Sequence, residues 1–258
     1  MRQNFGEAFV ETLIENHIAT ITFFHPQSNS LPGEVLRTLA NHIHTAGKEK
    51  DVHVIVLKSE GEKVFCAGAS FDELAAIHDE ASGLEFFSGF AKVINAMRTC
   101  GKIVIARIQG KCVGGGVGIA AAADYSIAVQ QSAIKLSELA VGIGPFVVGP
   151  AIERKIGTGA FTQLALDAHR WRDAAWAHRN NLFAEVYDDA AALDQAVAAL
   201  ANQLAKSSQE ALHQLKQVFW EGTNHWDELL LERAAMSGRL ILSDFSKQFI
   251  TNFKQKNA

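Results

Sequence analysis

Apolar residues and threonine dominate two short runs near the start of the chain, at residues 9–14 and 18–24, which are rich in β-branched and aromatic side chains. Such runs predict two β-strands, and the turn-like residues between them predict a hairpin. After Pro32 the pattern changes, because apolar residues recur every three or four positions as far as Ala46 and predict a helix with one buried face. The apolar run at 52–57, which is interrupted only by His53, is typical of a strand buried in a parallel sheet. This first part of the chain therefore predicts a hairpin followed by a β-helix-β crossover.

The rest of the chain divides into a mixed part and a helical part. The mixed part predicts, in order, helices at 72–77 and 81–98, a strand at 102–108, a helix that starts at the glycines 114–116, strands at 125–129 and 133–136, helices at 147–156 and 160–168, and a strand at 182–187. From Asp188 onward only helices are predicted, at 190–206, 209–220 and 226–242, with a tail through Phe253. This change of composition predicts an α/β core at residues 1–195 and a helical C-terminal region at residues 196–258, whose apolar stripe is expected to pack between subunits as an oligomerisation region.

The composition is that of an ordinary globular protein. With 258 residues, of which 48% are hydrophobic and 20% charged, the chain can bury a large core. A net charge of −4, with scattered lysines and arginines, gives no basic surface, so we expect no nucleic-acid partner. No apolar run is long enough to span a bilayer and the N-terminus lacks a signal-peptide pattern, so we expect a cytoplasmic protein without membrane association. The spacing of cysteines and histidines indicates neither disulfides nor a metal site.

Two backbone-exposing stretches are candidates for ligand binding. Gly114, Gly115 and Gly116 follow a predicted strand and begin an apolar helix, whose first N–H groups lack intrahelical partners and carry positive partial charge. Such a place suits an anion or a carbonyl oxygen that gains negative charge, although a simple packing turn is the alternative. The stretch 67–69 (Ala-Gly-Ala) also follows a predicted strand and precedes a helix. If the sheet brings both stretches together, one N–H from each could bind a single oxygen as an oxyanion hole.

Chemistry at such a site needs a nearby acid or base. Glu138 is the candidate, because its apolar neighbours would desolvate the carboxyl group and raise its pKa. A surface or helix-capping glutamate is the alternative interpretation. Residues 116–121 also fit the G-x-G-x-x-A pattern of dinucleotide-binding proteins, which keeps a nicotinamide-dependent dehydrogenase as a competing hypothesis. The two short strands predicted between Ala122 and Glu138 do not fit the βαβ context of that pattern.

Four motifs in this order resemble the enoyl-CoA hydratase/isomerase (crotonase) superfamily. They are Phe65-Cys-Ala-Gly-Ala-Ser-Phe-Asp-Glu-Leu74, Ile108-Gln-Gly-Lys-Cys-Val-Gly-Gly-Gly-Val-Gly118, Ala123-Asp-Tyr-Ser-Ile-Ala128 and Leu136-Ser-Glu-Leu-Ala-Val-Gly-Ile-Gly-Pro145. The resemblance implies an α/β fold, a spiral of ββα units with a C-terminal helical trimerisation region. It also implies an acyl-CoA thioester substrate, with coenzyme A as part of the substrate and no other cofactor or metal. Self-association as a homotrimer or a dimer of trimers follows from the same resemblance.

The resemblance also implies roles for individual residues. The backbone amides of Ala69 and Gly115 would form the oxyanion hole for the thioester carbonyl, and Glu138 matches the second of two family glutamates. The implied substrate- and CoA-binding residues are Ala67, Gly68, Phe71, Gly114, Gly118 and Phe146, of which Ala67 and Phe71 would line the adenine pocket. The Phe146 amide would help to hold the water.

Gly118 departs from the two-glutamate hydratases, which carry their first catalytic glutamate at this position. A clamp of two carboxylates on one water is therefore excluded, and Ser70 is a second departure because the family has aspartate there. The sequence around Gly118 and Glu138 is nevertheless similar to that of bacterial methylglutaconyl-CoA hydratases, which also carry glycine at the position of Gly118. We therefore expect an enoyl-CoA hydratase that acts on a short, branched or carboxylated acyl group. The alternatives are a Δ3,Δ2-enoyl-CoA isomerase and a catalytically silent acyl-CoA binder.

Overall fold

The computed structural model describes residues 1–257 and confirms the predicted hairpin and crossover. The first elements are β1 (Arg2–Phe5), β2 (Ala8–Glu15), β3 (Ile18–Phe24), β4 (Ser30–Leu31), α1 (Gly33–Lys48), β5 (Val54–Ser59), β6 (Val64–Cys66), β7 (Gly68–Ala69), α2 (Phe71–Leu74) and α3 (Glu80–Thr99). They are followed by β8 (Ile103–Ile108), β9 (Lys111–Val113), α4 (Gly115–Ala122), β10 (Tyr125–Val129), β11 (Ala133–Lys135), a 3₁₀ helix (Glu138–Val141), α5 (Gly149–Leu166), β12 (Arg172–Asp173), α6 (Ala174–Arg179) and β13 (Glu185–Tyr187). The C-terminal helices are α7 (Ala190–Ala205), α8 (Gln209–Phe219), α9 (Trp226–Leu240) and α10 (Asp244–Asn257).

The strands form a large sheet, a smaller sheet beside the candidate site and a two-stranded pair of β4 and β7. The large sheet has the order β1-β2-β3-β5-β8-β10-β13, antiparallel from β1 to β3 and parallel from β3 onward. The smaller sheet has the order β12-β11-β9-β6, in which β6, β9 and β11 are parallel. Because parallel strands end at the same edge, the segments that follow these three strands leave the sheet together. Those segments contain Ala69, Gly115 and Glu138.

Helix α1 shows how the predicted pattern is used in packing. The residues expected on its apolar face are all buried: Val35, Leu36, Leu39, Ile43 and Ala46. Helix α1 packs against α3, where a Cβ built at Gly89 would lie 2.7 Å from Leu36 Cδ1. Burial of this face against the sheet and α3, rather than intrinsic helix propensity, stabilises the helix.

Several short elements were not predicted from the sequence pattern or have other bounds than predicted. Strands β1, β4 and β9 and helix α6 were not predicted, because two to six residues are too few to establish a period. The two helices predicted at 147–156 and 160–168 are the two halves of α5, which are separated by the non-helical Gly157 (φ 76°, ψ 159°). The strand predicted at 182–187 is shorter, since its pairing with β10 begins only at Glu185.

The chain after Asp188 is helical as predicted, but a boundary between residues 195 and 196 would divide α7. This helix buries Leu193, Val197 and Ala201 against the large sheet and therefore packs on the core. The division into residues 1–195 and 196–258 stays a prediction, and residue 258 lies outside the described residues. Among the helices described, none is long and apolar enough to cross a membrane.

A buried ion pair joins α8 to the core. Lys216 Nζ lies 2.6 Å from Asp124 Oδ2, and the two side chains are 3% and 4% exposed. Asp124 also accepts hydrogen bonds from Trp220 Nε1 at 2.9 Å and from the Val104 N–H at 2.7 Å. Both carboxylate oxygens of Asp124 thus have partners, which is what makes burial of a carboxylate tolerable.

Lys216→Met is expected to lower the free energy of unfolding by about 3–5 kcal/mol, because it leaves the carboxylate of Asp124 buried without its counter-ion. Chemical denaturation followed by circular dichroism measures the change. The matched control is Arg2→Met, which breaks the exposed pair between Arg2 and Glu11 and is expected to cost at most about 1 kcal/mol. Equal losses for both variants would contradict the importance of the buried pair.

Candidate active site

Two glycine-containing loops lie side by side where β6 and β9 end. Gly68 has a left-handed φ of +93°, and a Cβ built there would lie 3.0 Å from the Val113 carbonyl oxygen and 3.7 Å from the Gly115 nitrogen. A Cβ at Gly116 would lie 2.3 Å from the Cys66 carbonyl oxygen. Glycine is needed at both positions because the two backbones approach too closely for a side chain. The structure therefore places the two predicted backbone-donor stretches together.

The start of α4 has the electrostatic character expected of an oxyanion site. Gly115 is its first residue, and the N–H groups of a first helical turn have no intrahelical acceptor. Gly114 precedes it with φ 51° and ψ −114°, a conformation that favours glycine, and its own N–H donates to the Lys135 carbonyl at 2.9 Å. The positive end of α4 is thus available to a ligand oxygen.

A cavity of about 450 Å³ is lined by both loops and by the segment that carries Glu138. All the predicted site residues except Gly118 line it, namely Ala67, Gly68, Ala69, Phe71, Gly114, Gly115, Glu138 and Phe146. Residues that are more than 70 positions apart in the sequence therefore share one cavity.

The structure corrects the placement of Gly118. This glycine lies inside the buried helix α4, and a Cβ built there would lie 2.5 Å from Val148 Cγ1. Val148 lines the cavity, so an aliphatic side chain occupies the space that a side chain at position 118 would need. Gly116 is also buried within α4, which means that the G-x-G-x-x-A pattern serves helix packing rather than a phosphate-binding loop.

The aromatic walls of the cavity, apart from Phe71 and Phe146, were not predicted from the sequence. They consist of Phe86, Phe87 and Phe90 from α3 and Phe249 and Phe253 from α10. Phe253 also packs on Phe71, with 4.2 Å between the ring centroids. Their helical spacing predicts an apolar face, but only the tertiary structure decides that this face lines a cavity.

Glu138 begins the 3₁₀ helix, and its carboxyl group is enclosed. Its Oε2 atom is fully buried and has no hydrogen-bond partner among the described residues, while a Cβ at Gly114 would lie 2.9 Å from Oε1. Burial raises the pKa of Glu138 to about 7, against an opposing effect of hydrogen bonds from the Glu138 and Ser137 backbone. Glu138 is also the one acidic residue that lines the described cavity. A carboxyl group with this pKa can both accept and deliver a proton near neutral pH.

The raised pKa of Glu138 makes stability depend on pH. The ordinary pKa of glutamate in the unfolded chain is 4.5, and in the folded protein it is about 7. Between these values the folded protein holds a proton that the unfolded chain does not, so the free energy of unfolding falls as pH rises from 4.5 to about 7. Glu138→Gln removes this dependence. Its Tm relative to the native protein is therefore expected to be higher at pH 8 than at pH 5, and an equal difference at both pH values would contradict the raised pKa.

A buried thiol and two basic residues lie near the site. Burial raises the pKa of the Cys66 thiol to about 12, which makes it a poor nucleophile. The basic residues that line the cavity are Lys135 and His169, and Lys135 Nζ lies 4.7 Å from the centre of the Trp171 ring. Within residues 1–257, no group of three or more His, Cys, Asp or Glu side chains has the arrangement of a metal site.

Known proteins share this fold and parts of this sequence. The chain superimposes on an enoyl-CoA hydratase from Bacillus halodurans with a TM-score of 0.86 at 22% identity, covering 94% of this chain and 99% of the other. The mitochondrial methylglutaconyl-CoA hydratase of Rattus norvegicus is 32% identical over 141 residues, which are 54% of this chain and 44% of that protein. The mitochondrial 3-hydroxyisobutyryl-CoA hydrolase of Gallus gallus is 28% identical over 135 residues, 50% of this chain and 35% of that protein. The chain thus spans less than half the length of either relative. A family model for enoyl-CoA hydratase/isomerase matches residues 13–256, and the chain belongs to this family.

Proposed function

We propose that the protein is an enoyl-CoA hydratase that adds water across the α,β double bond of a short, branched or carboxylated acyl-CoA. One observation carries the proposal: Glu138, whose enclosed Oε2 atom has no hydrogen-bond partner among the described residues, lines the same cavity as the two glycine loops. An acid/base group and a pair of backbone donors are what addition to an unsaturated thioester requires. No cofactor beyond the coenzyme A of the substrate is needed for this chemistry.

The proposed mechanism uses Glu138 twice. The N–H groups of Ala69 and Gly115 donate to the thioester oxygen. The carboxylate of Glu138 takes a proton from water while the oxygen of that water bonds to Cβ, and the electron pair of the double bond moves to the thioester oxygen as an enolate. The enolate then collapses and takes the proton from Glu138 at Cα. Both new bonds form on one face of the substrate, and Glu138 returns to its starting charge.

A carboxylated acyl group is proposed from the motif likeness and from the name of the rat relative, a methylglutaconyl-CoA hydratase. Lys135 and His169 support it, since they are the basic residues of a cavity whose walls are otherwise mainly apolar. A second negative charge on the substrate would be attracted to a cationic residue of the cavity.

An isomerase is the second candidate, and the packing of Val148 favours it. Val148 takes up the space beside Gly118, so the carboxylate that would share the water in a two-glutamate hydratase has no room. A lone carboxylate in an apolar cavity is suited to moving a proton between Cα and Cγ of an enoyl thioester. This second reaction needs the same oxyanion hole and the same Glu138.

Self-association as a homotrimer or a dimer of trimers is part of the proposal. Helix α8 supports it because Leu215, Val218 and Phe219 are 45%, 63% and 45% exposed, and apolar side chains so exposed are typical of interfaces. Light scattering after gel filtration would give the mass of the particle in solution. A monomer at micromolar concentration would overturn the proposed self-association.

Mass spectrometry of the protein with a panel of unsaturated acyl-CoAs, including 3-methylglutaconyl-CoA, tests the function. A product heavier by one water supports the hydratase. An unchanged mass with a shifted double bond supports the isomerase instead, and the appearance of free coenzyme A shows thioester hydrolysis. Thermal stabilisation by acyl-CoAs without any product would overturn both reactions and leave a silent acyl-CoA binder.

A further inference from the structure

A second cavity, of about 540 Å³, lies next to the candidate active site. The segment 143–146 (Ile-Gly-Pro-Phe) lines both cavities and is therefore a shared wall between them. This segment begins only two residues after the 3₁₀ helix that carries Glu138. Because Glu138 and this wall line one cavity, an acyl group with its reacting carbons at Glu138 shares that cavity with the wall.

The Phe146 ring closes the wall. The Phe146 N–H donates to the Gly144 carbonyl at 2.8 Å, so the expectation that this amide holds the water is wrong, and the tight turn folds the ring back over Gly144. A Cβ built at Gly144 would lie 2.4 Å from Phe146 Cζ, so the ring occupies the space above this glycine. The turn starts after Gly142, whose φ of +91° favours glycine. The ring position thus follows from the local backbone of this segment.

The second cavity is suited to an alkyl chain. Its far walls are formed by apolar side chains of α5 and α9, including Phe161, Leu166 and Leu240. Its charged residues are Glu153, which accepts a hydrogen bond from the Thr158 hydroxyl at 2.7 Å, and Arg233. No functional residue predicted from the sequence, other than Phe146, lines this cavity.

We propose that Phe146 determines the acyl-chain length of the substrate. The ring ends the acyl site of the native protein and restricts it to short acyl groups, and the second cavity is the space that a longer chain would enter without the ring. This inference rests on the proposed use of an acyl-CoA at this site. It adds a residue that determines specificity, and it assigns the limit on acyl-chain length to the Phe146 ring.

Binding of saturated acyl-CoAs measured by calorimetry tests the inference without any turnover. Each methylene that becomes buried is worth about a fourfold gain in affinity. The native protein is expected to bind decanoyl-CoA no better than butyryl-CoA. Phe146→Ala is expected to raise the affinity for decanoyl-CoA relative to butyryl-CoA at least tenfold, and an unchanged ratio in this variant would overturn the proposal.

A second substitution shows whether the longer chain enters the second cavity. Leu240→Trp, introduced together with Phe146→Ala, narrows the second cavity and is expected to cancel the gain for decanoyl-CoA. A gain that persists in the double variant would overturn the assignment of this cavity. Leu13→Ala, at an exposed position of β2, is the control and is expected to leave the ratio unchanged.

Two further measurements keep this result separate from the proposed function. Circular dichroism checks the folding of Phe146→Ala, and Phe146→Leu, which removes less volume, is expected to show a smaller gain in the same direction. No gain in a folded Phe146→Leu protein would count against the proposal. Because the readout is binding, a native protein that binds acyl-CoA but forms no product would overturn the hydratase and leave this inference standing.

Discussion

Glu138→Gln is expected to lower kcat by about 10²–10⁴-fold, the usual contribution of a general acid/base. Glutamine has nearly the same shape and can occupy the same enclosed site, but it cannot take a proton from water or deliver one to Cα. Affinity for a saturated acyl-CoA is expected to change little, because the apolar walls and the backbone donors are retained. Steady-state kinetics with the best panel substrate and calorimetry with its saturated analogue measure the two effects.

The matched control is Glu210→Gln, an exposed glutamate at the start of α8, for which native activity is expected. In the native protein kcat/KM is expected to rise as pH increases through about 7, because the base must first lose its proton. If Glu138→Gln kept full activity, Glu138 would be removed from the mechanism, whatever its pKa.

Gly115→Ala is expected to lower kcat/KM by about 10²–10³-fold, the cost of losing one oxyanion-hole donor. A Cβ at this position would lie 2.2 Å from Phe90 Cε1, so either the Phe90 ring or the start of α4 must move. A small shift of the helix start displaces the Gly115 N–H from the thioester oxygen. Kinetics on a variant with native circular dichroism measures the effect.

Gly159→Ala provides the matched glycine control. Gly159 lies in the second half of α5, and a Cβ built there meets no atom within 4 Å. Activity is therefore expected to stay at the native level, and stability is expected to rise slightly because alanine favours a helix. A folded Gly115→Ala protein with native kcat/KM would show that the start of α4 does not hold the oxyanion.

Local sequence patterns were sufficient for much of the fold. The hairpin of β2 and β3 follows from two runs of β-branched and aromatic residues on either side of a turn. Helix α1 with its buried face and the long C-terminal helices follow from a period of 3.6 residues, and both kinds of pattern depend only on neighbouring positions. Strands of two to four residues, such as β4 and β7, are too short to carry such a pattern. They form because the chain on either side brings them together.

The candidate site likewise combines features that the sequence predicts with features that only the tertiary structure shows. The sequence by itself determined the two glycine stretches and Glu138, because backbone accessibility at glycine and desolvation of a carboxyl group depend on residue type and immediate neighbours. Only the tertiary structure decided that Val148 fills the space beside Gly118, and that Phe146 stands between two cavities. Contacts of this kind join elements that are distant along the chain, and their geometry depends on how whole helices pack, which no local pattern records.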